Sequence, residues 1–139
     1  MKRSTVEFGT ARAVVTVNDN LVYIQVSGLY TDDVAMALLR HLDAVIDEIP
    51  DSLIRVWDAS GIPADSFQLS SACIDRITEW ARQVMARRPG SSAYMVGSTT
   101  ISYGMARMYE MRADLEPTGV VVLRSLDELP GSIKEKLPK

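Results

Sequence analysis

One short stretch concentrates the side chains best suited to chemistry. Asp58-Ala59-Ser60-Gly61-Ile62-Pro63-Ala64-Asp65-Ser66-Phe67 carries two carboxylates and two hydroxyls around a glycine and a proline. Asp58 follows the β-branched run Leu53 to Trp57 (LIRVW), so it falls at the carboxyl end of an expected strand. Ligands of open α/β sheets bind outside such strand ends, which makes Asp58 a candidate polar anchor. The competing reading is a turn in which Asp58 accepts the backbone N–H groups of its own loop. Asp65 and Ser66 stand where a helix is expected to begin. There they could contact an anion or carry a phosphate, or simply cap the helix. Gly97-Ser98-Thr99-Thr100 is a second strand-to-helix turn rich in small hydroxyls. It resembles an anion cradle loosely, without the lysine and glycine spacing of a phosphate-binding loop.

Nucleophilic catalysis has little to work with. His41 is the sole histidine and Cys73 the sole cysteine. His41 lies off the centre of an apolar helix stripe, and Cys73 falls within a second long helix, where a thiol packs as a small hydrophobe. Pairing them would need two helices to present both in one cleft. No G-x-S-x-G elbow occurs. A lone His with a lone Cys makes a poor start on a zinc site, and one Cys permits no internal disulfide. No cofactor or metal is expected, and the chain is not expected to be an enzyme.

Apolar and aromatic side chains form a different kind of candidate. Met105, Met108 and Met111 recur at i, i+3 and i+6 with Tyr103 and Tyr109 between them. Met105, Met108 and Tyr109 share a helix face, whereas Tyr103 and Met111 drift from it. Adaptable methionines suit irregular cores and also binding surfaces, so Tyr103, Met105, Met108 and Tyr109 are candidate interface residues. Trp57, Phe67 and Trp80 gather around the same strand end, and large rings are favoured at pockets and interfaces.

The elements that must position these residues follow from periodicity. Ala13 to Val17 and Leu21 to Val26 read as strands joined by the turn Asn18-Asp19-Asn20, a hairpin. Val22, Ile24 and Val26 share one face of the second strand, and Leu21, Tyr23 and Gln25 the other. Thr31 can cap a helix with Asp32 and Asp33 in its first turn. Ala35, Leu38, Leu39, Leu42, Val45, Ile46 and Ile49 then trace an amphipathic stripe that ends at Pro50. After the strand ending at Asp58, a helix is expected from Asp65-Ser66 to about Arg88, with Ile74, Ile77, Ala81, Val84 and Met85 inward. Ala93 to Val96 is a short strand, and a third helix carries Ile101, Met105, Met108 and Leu115. Gly119 to Leu123 is an apolar strand, and Ser125 caps a last helix interrupted at Pro130-Gly131. The order β-β-α-β-α-β-α-β-α predicts a five-stranded mixed sheet with one antiparallel strand in the hairpin and about four helices.

Length and composition agree. The chain has 139 residues, enough for one domain with a core of its own. Hydrophobic residues at 47% and charged residues at 24% mark an ordinary globular chain, not a disordered one. The net charge of −3 lacks the basic footprint of a nucleic-acid binder. No apolar run approaches a membrane span, and charged residues interrupt the basic start MKRSTVEFGTARAVV before a signal-peptide core forms. A cytoplasmic protein is expected.

The element order and the segment Asp58 to Ser66 together resemble the STAS-like, SpoIIAA-like domain family, in particular its divergent, CRAL-TRIO-like group. In anti-sigma-factor antagonists a strand leads into Asp-Leu-Ser-Gly-Val, a short loop, then Asp-Ser-Ser-Gly. Asp58, Ser60, Gly61, Asp65 and Ser66 match in order, with a loop about a residue shorter. The phosphoacceptor of that family is the second Ser, and Phe67 stands there. What the resemblance implies is therefore a protein-binding surface at the strand end in place of the phosphorylation switch. A non-enzymatic, homodimeric interaction module is the function expected. A carrier or sensor of an apolar, lipid-like small molecule is the alternative.

Overall fold

The computed structural model describes residues 1–50, 52–97 and 120–138. It is an α/β structure built on a mixed sheet. The strands are β1 (Lys2–Phe8), β2 (Ala11–Asn18), β3 (Leu21–Ser27), β5 (Ile54–Gly61), β7 (Ser92–Val96) and β8 (Val120–Leu123), in the spatial order β1-β2-β3-β5-β7-β8. A second, two-stranded parallel sheet joins β4 (Tyr30–Thr31) to β6 (Phe67–Gln68). The helices among the described residues are α1 (Asp32–Asp47), α2 (Ser71–Arg87) and the short α3 (Gly131–Lys134).

The main sheet has six strands where five were expected. The addition is β1, which pairs antiparallel with β2 from Lys2↔Val17 to Phe8↔Ala11. Its sequence KRSTVEF holds too few aliphatic residues to read as a strand. An edge strand needs only a half-buried face, and here Val6 supplies it by packing on the core. The expected hairpin is β2–β3, with register Asn18↔Leu21 and Asp19 in a left-handed conformation (φ 54°) that aspartate tolerates. From β3 onward all pairings are parallel. Only β2 runs against the others, as the expected single antiparallel strand does.

Both faces of the sheet are covered. Val15, Val22, Ile24 and Val26 meet Ala35, Leu38, Leu42 and Ile46 of α1, the stripe read from the sequence. Leu21, Tyr23 and Val56 on the opposite face meet Leu129 and Ile133 of the C-terminal segment. That segment is a 3-10 turn (Leu126–Glu128) capped by Ser125, then α3, so the expected last helix is broken in two. Thr31 occupies the N-cap position of α1, but its side chain makes no capping bond.

The second long helix begins at Ser71, not at Asp65-Ser66. Asp65 and Ser66 lie in a 3-10 turn (Ala64–Ser66), and Phe67-Gln68 then extend to pair with Tyr30-Thr31. The cap is Ser70, whose Oγ accepts from the amide of Cys73 at 3.1 Å. Along α2, Cys73, Ile74, Thr78, Ala81 and Val84 are buried. At its end Arg88 donates to the carbonyls of Ile46, at 2.8 Å, and of Ile49, tying the two helix C-termini together. The third helix expected between Ile101 and Leu115 lies outside the described residues.

Gly28 links β3 to β4 with φ +83°, and a Cβ there would lie 2.2 Å from the Thr10 carbonyl oxygen. Gly9 has φ +61° but nothing within 4 Å of such a Cβ. Gly28→Ala should therefore lower unfolding stability by about 2 kcal/mol or more, through clash plus backbone strain. Gly9→Ala should lose only about 1 kcal/mol, from strain alone. Urea titration of the two variants checks the order, and equal losses would refute it.

Candidate functional site

The strand β5 lies between β3 and β7, with Asp58 opposite Gln25 on one side and Val96 on the other, and it runs on to Gly61 where the sequence places its end at Asp58. Side chains alternate along it. Ile54, Val56 and Asp58 point toward the C-terminal segment, and Arg55 and Trp57 toward the helices. Asp58 is 6% exposed, and a carboxylate so buried must be hydrogen-bonded. Its Oδ2 accepts from the Tyr23 hydroxyl at 3.0 Å, and its Oδ1 accepts from the Ser60 amide at 2.9 Å and from the Ser60 hydroxyl. Burial first, then the charge of Asp58 and the bond to it, hold the Tyr23 phenol protonated well above its ordinary range. Asp58 thus serves its own loop, as the turn reading has it, and also ties β3 to β5.

The loop beyond it is exposed but held. Ile62 is buried as its plug, with its amide on the Ala59 carbonyl. Asp65 is exposed and Ser66 half-buried, the hydroxyl of Ser66 donating to Asp65 Oδ1 at 3.3 Å. Phe67 meets Tyr30 edge to face, with ring centroids 5.6 Å apart. At the far end Asp32, in the first turn of α1, accepts from the Ser70 amide at 2.8 Å and from its hydroxyl at 2.6 Å. One carboxylate therefore begins the loop and another closes it. Ser98, Thr99 and Thr100, and the interface candidates Tyr103, Met105, Met108 and Tyr109, lie outside the described residues.

Trp57, Phe67 and Trp80, expected around one strand end, divide between two ring contacts. Phe67 joins Tyr30, while Trp57 meets Trp80 edge to face at 6.4 Å. Arg55 is fully buried on the helix side, with its guanidinium 5.2 Å from the centre of the Trp80 ring. The Trp80 indole N–H in turn donates to Asp43 of α1 at 2.7 Å. None of these contacts is local in sequence.

Cys73 and His41 do not form a pair. Burial, then the charge of Asp32, push the Cys73 thiol up to about 11, which keeps it protonated and a weak nucleophile at neutral pH. His41 bonds instead to Ser4 of β1, Nε2 to Oγ at 2.7 Å. That contact lies in a cleft of about 480 Å³ between β1 and the C-terminal half of α1. Val17, Val45 and Ile49 form apolar wall, and the Lys2–Glu48 ion pair, 3.1 Å long, lines the cleft as well. The sequence reading misses the cleft because it misses β1. The alternation of Ser4 and Val6 in KRSTVEF was the available signal.

Among the described residues no group of three or more potential metal ligands gathers, and no helix is long and apolar enough to cross a membrane. No protein-family model matches the chain, and no curated protein matches it.

The Asp32–Ser70 clasp has a pH signature. The Ser70 hydroxyl first, then its amide, hold the Asp32 carboxyl below its ordinary value. Stability from such a group is present above the unfolded-state value of about 4 and is lost as pH falls through the lower folded-state value. Asp32→Asn should flatten the acid side of the stability profile, followed by thermal melts from about pH 6 to pH 2. An acid limb that overlays the wild type would show that the clasp contributes nothing.

Proposed function

We propose that this chain is a STAS-like, non-enzymatic interaction module that works as a homodimer. The observation that carries the reading is the segment from Ser60 to Ser70. It presents Asp65, Gln68 and the edge of Ser66 outward while Asp58 and Asp32 fix its two ends. A surface held this way loses little freedom on binding, which favours recognition of a macromolecular partner. The same residues do not favour catalysis. Asp58 is engaged on both oxygens, and the thiol of Cys73 is buried and protonated. A hairpin followed by parallel strand–helix alternation is the arrangement expected of the STAS-like family, and Phe67 packed on Tyr30 suits an apolar contact better than a phosphate.

The cleft beside Ser4 and His41 favours a second reading, a carrier or sensor of an apolar small molecule. Val17, Val45 and Ile49 give it an apolar wall, and the Ser4–His41 pair with the charged groups that also line it can hold a polar end.

Native mass spectrometry of gently purified protein over a concentration series separates the two. The interaction module predicts a dimer of twice the bare chain mass that grows with concentration. A monomer retaining an adduct of lipid size would contradict the first reading and support the second. A bare monomer at every concentration would contradict both.

A further inference from the structure

The outer edge of the sheet carries a self-complementary strand. Among the described residues β1 pairs with β2 on one side and with no strand on the other. The N–H and C=O groups that alternate residues of its outer edge leave open are a template for another strand. Natural edges are blunted by bulges, prolines, shortness or charge; β1 pairs with β2 in unbroken register through Lys2 to Phe8 without a proline, and its charges Lys2, Arg3 and Glu7 are of both signs. Its side chains sort by face. Ser4 bonds His41 and Val6 packs on the core, so Lys2, Ser4, Val6 and Phe8 lie on the α1 side. Arg3, Thr5 and Glu7 lie on the opposite side and are exposed.

We infer that two copies of this chain join edge to edge through β1, antiparallel, about a two-fold axis that passes midway between their two Thr5 residues, perpendicular to the sheet. The inference rests on the homodimer reading above and names its interface. The charges choose the register. A perpendicular axis keeps each residue opposite one on its own face, so the centre must be a residue. Centring on Ser4 would set Arg3 against Thr5, and centring on Val6 would set Thr5 against Glu7. Centring on Thr5 pairs all seven residues and sets Arg3 of each copy against Glu7 of the other, twice across the axis. Opposite charges in directly facing positions stabilise a strand pair, and like charges destabilise it.

A second observation fits the same axis. Phe8 is 49% exposed, one of the few large apolar side chains left open among the described residues. In this register it lies across from Lys2 of the other copy, whose aliphatic stem can cover the ring. The result is one continuous sheet of twelve strands. Because the axis reverses strand direction, the two Ser60–Ser70 loops point to opposite ends of it. The dimer would present two identical docking surfaces to separate partners.

Charge exchange tests the interface. Arg3→Glu places Glu against Glu at both pairs, and Glu7→Arg places Arg against Arg. Each variant alone should raise the dimer dissociation constant about tenfold in sedimentation velocity at low salt. An equimolar mixture of the two should restore association as a heterodimer, recognised by its mass in native mass spectrometry, and so should the Arg3→Glu/Glu7→Arg double variant. Circular dichroism establishes that each variant is folded. Variants that dimerise as the wild type does would overturn the interface and leave the homodimer reading standing. A wild-type chain that stays monomeric would overturn both.

Discussion

One buried carboxylate ties together the central strand, its neighbour and the loop that follows. Asp58 lies within the central strand, three residues short of its end at Gly61, with 6% of its surface exposed, and a charge in that position is tolerable only with full hydrogen bonding. Tyr23 reaches it from the neighbouring strand, and Ser60 reaches it twice from the end of the same strand. Strand pairing, the register shift just beyond Asp58 and the start of the exposed loop are therefore one linked set. The Asp32–Ser70 clasp repeats the device at the other end, where it fixes the start of α2 against the start of α1.

The two faces of β5 solve different problems with the same strand. On one face Val56 and Asp58 meet Leu21, Tyr23 and the C-terminal segment. On the other, Arg55 is buried beneath Trp80, whose indole bonds Asp43 on α1. That chain of contacts crosses from sheet to α2 to α1, so the helix layer is registered on the sheet by directional contacts as well as by apolar packing. A buried cation on one face and a buried anion on the other, three residues apart, leave the central strand little freedom to slip: a shift of one residue would exchange the faces.

The parts legible in the sequence are those set by local pattern. The stripe from Ala35 to Ile46 is periodic enough to place α1 and its buried face, and the alternation in Leu21 to Val26 sorts the two faces of β3. The bond between Asp58 and Ser60 is two residues long and follows from turn chemistry. What escaped depends on distant partners. Tyr23 is 35 residues from Asp58, and Ser4 is 37 residues from His41. The start of α2 was misplaced because Asp65-Ser66 and Ser70 are equally good caps by residue type. The pairing of Phe67-Gln68 with Tyr30-Thr31, a contact between distant segments, decides for Ser70. The strand β1 was missed because its edge position relieves it of the apolar alternation that identifies a strand.

Asp58 anchors the scaffold and the loop through both of its oxygens. A double-mutant cycle with Tyr23→Phe and Asp58→Ala, measured by urea unfolding, tests it most directly. A hydrogen bond to a buried charge predicts a coupling of about 1.5–3 kcal/mol between the two positions. Losses that simply add, within about 0.5 kcal/mol, would contradict the account, because the two side chains would then contribute to stability independently.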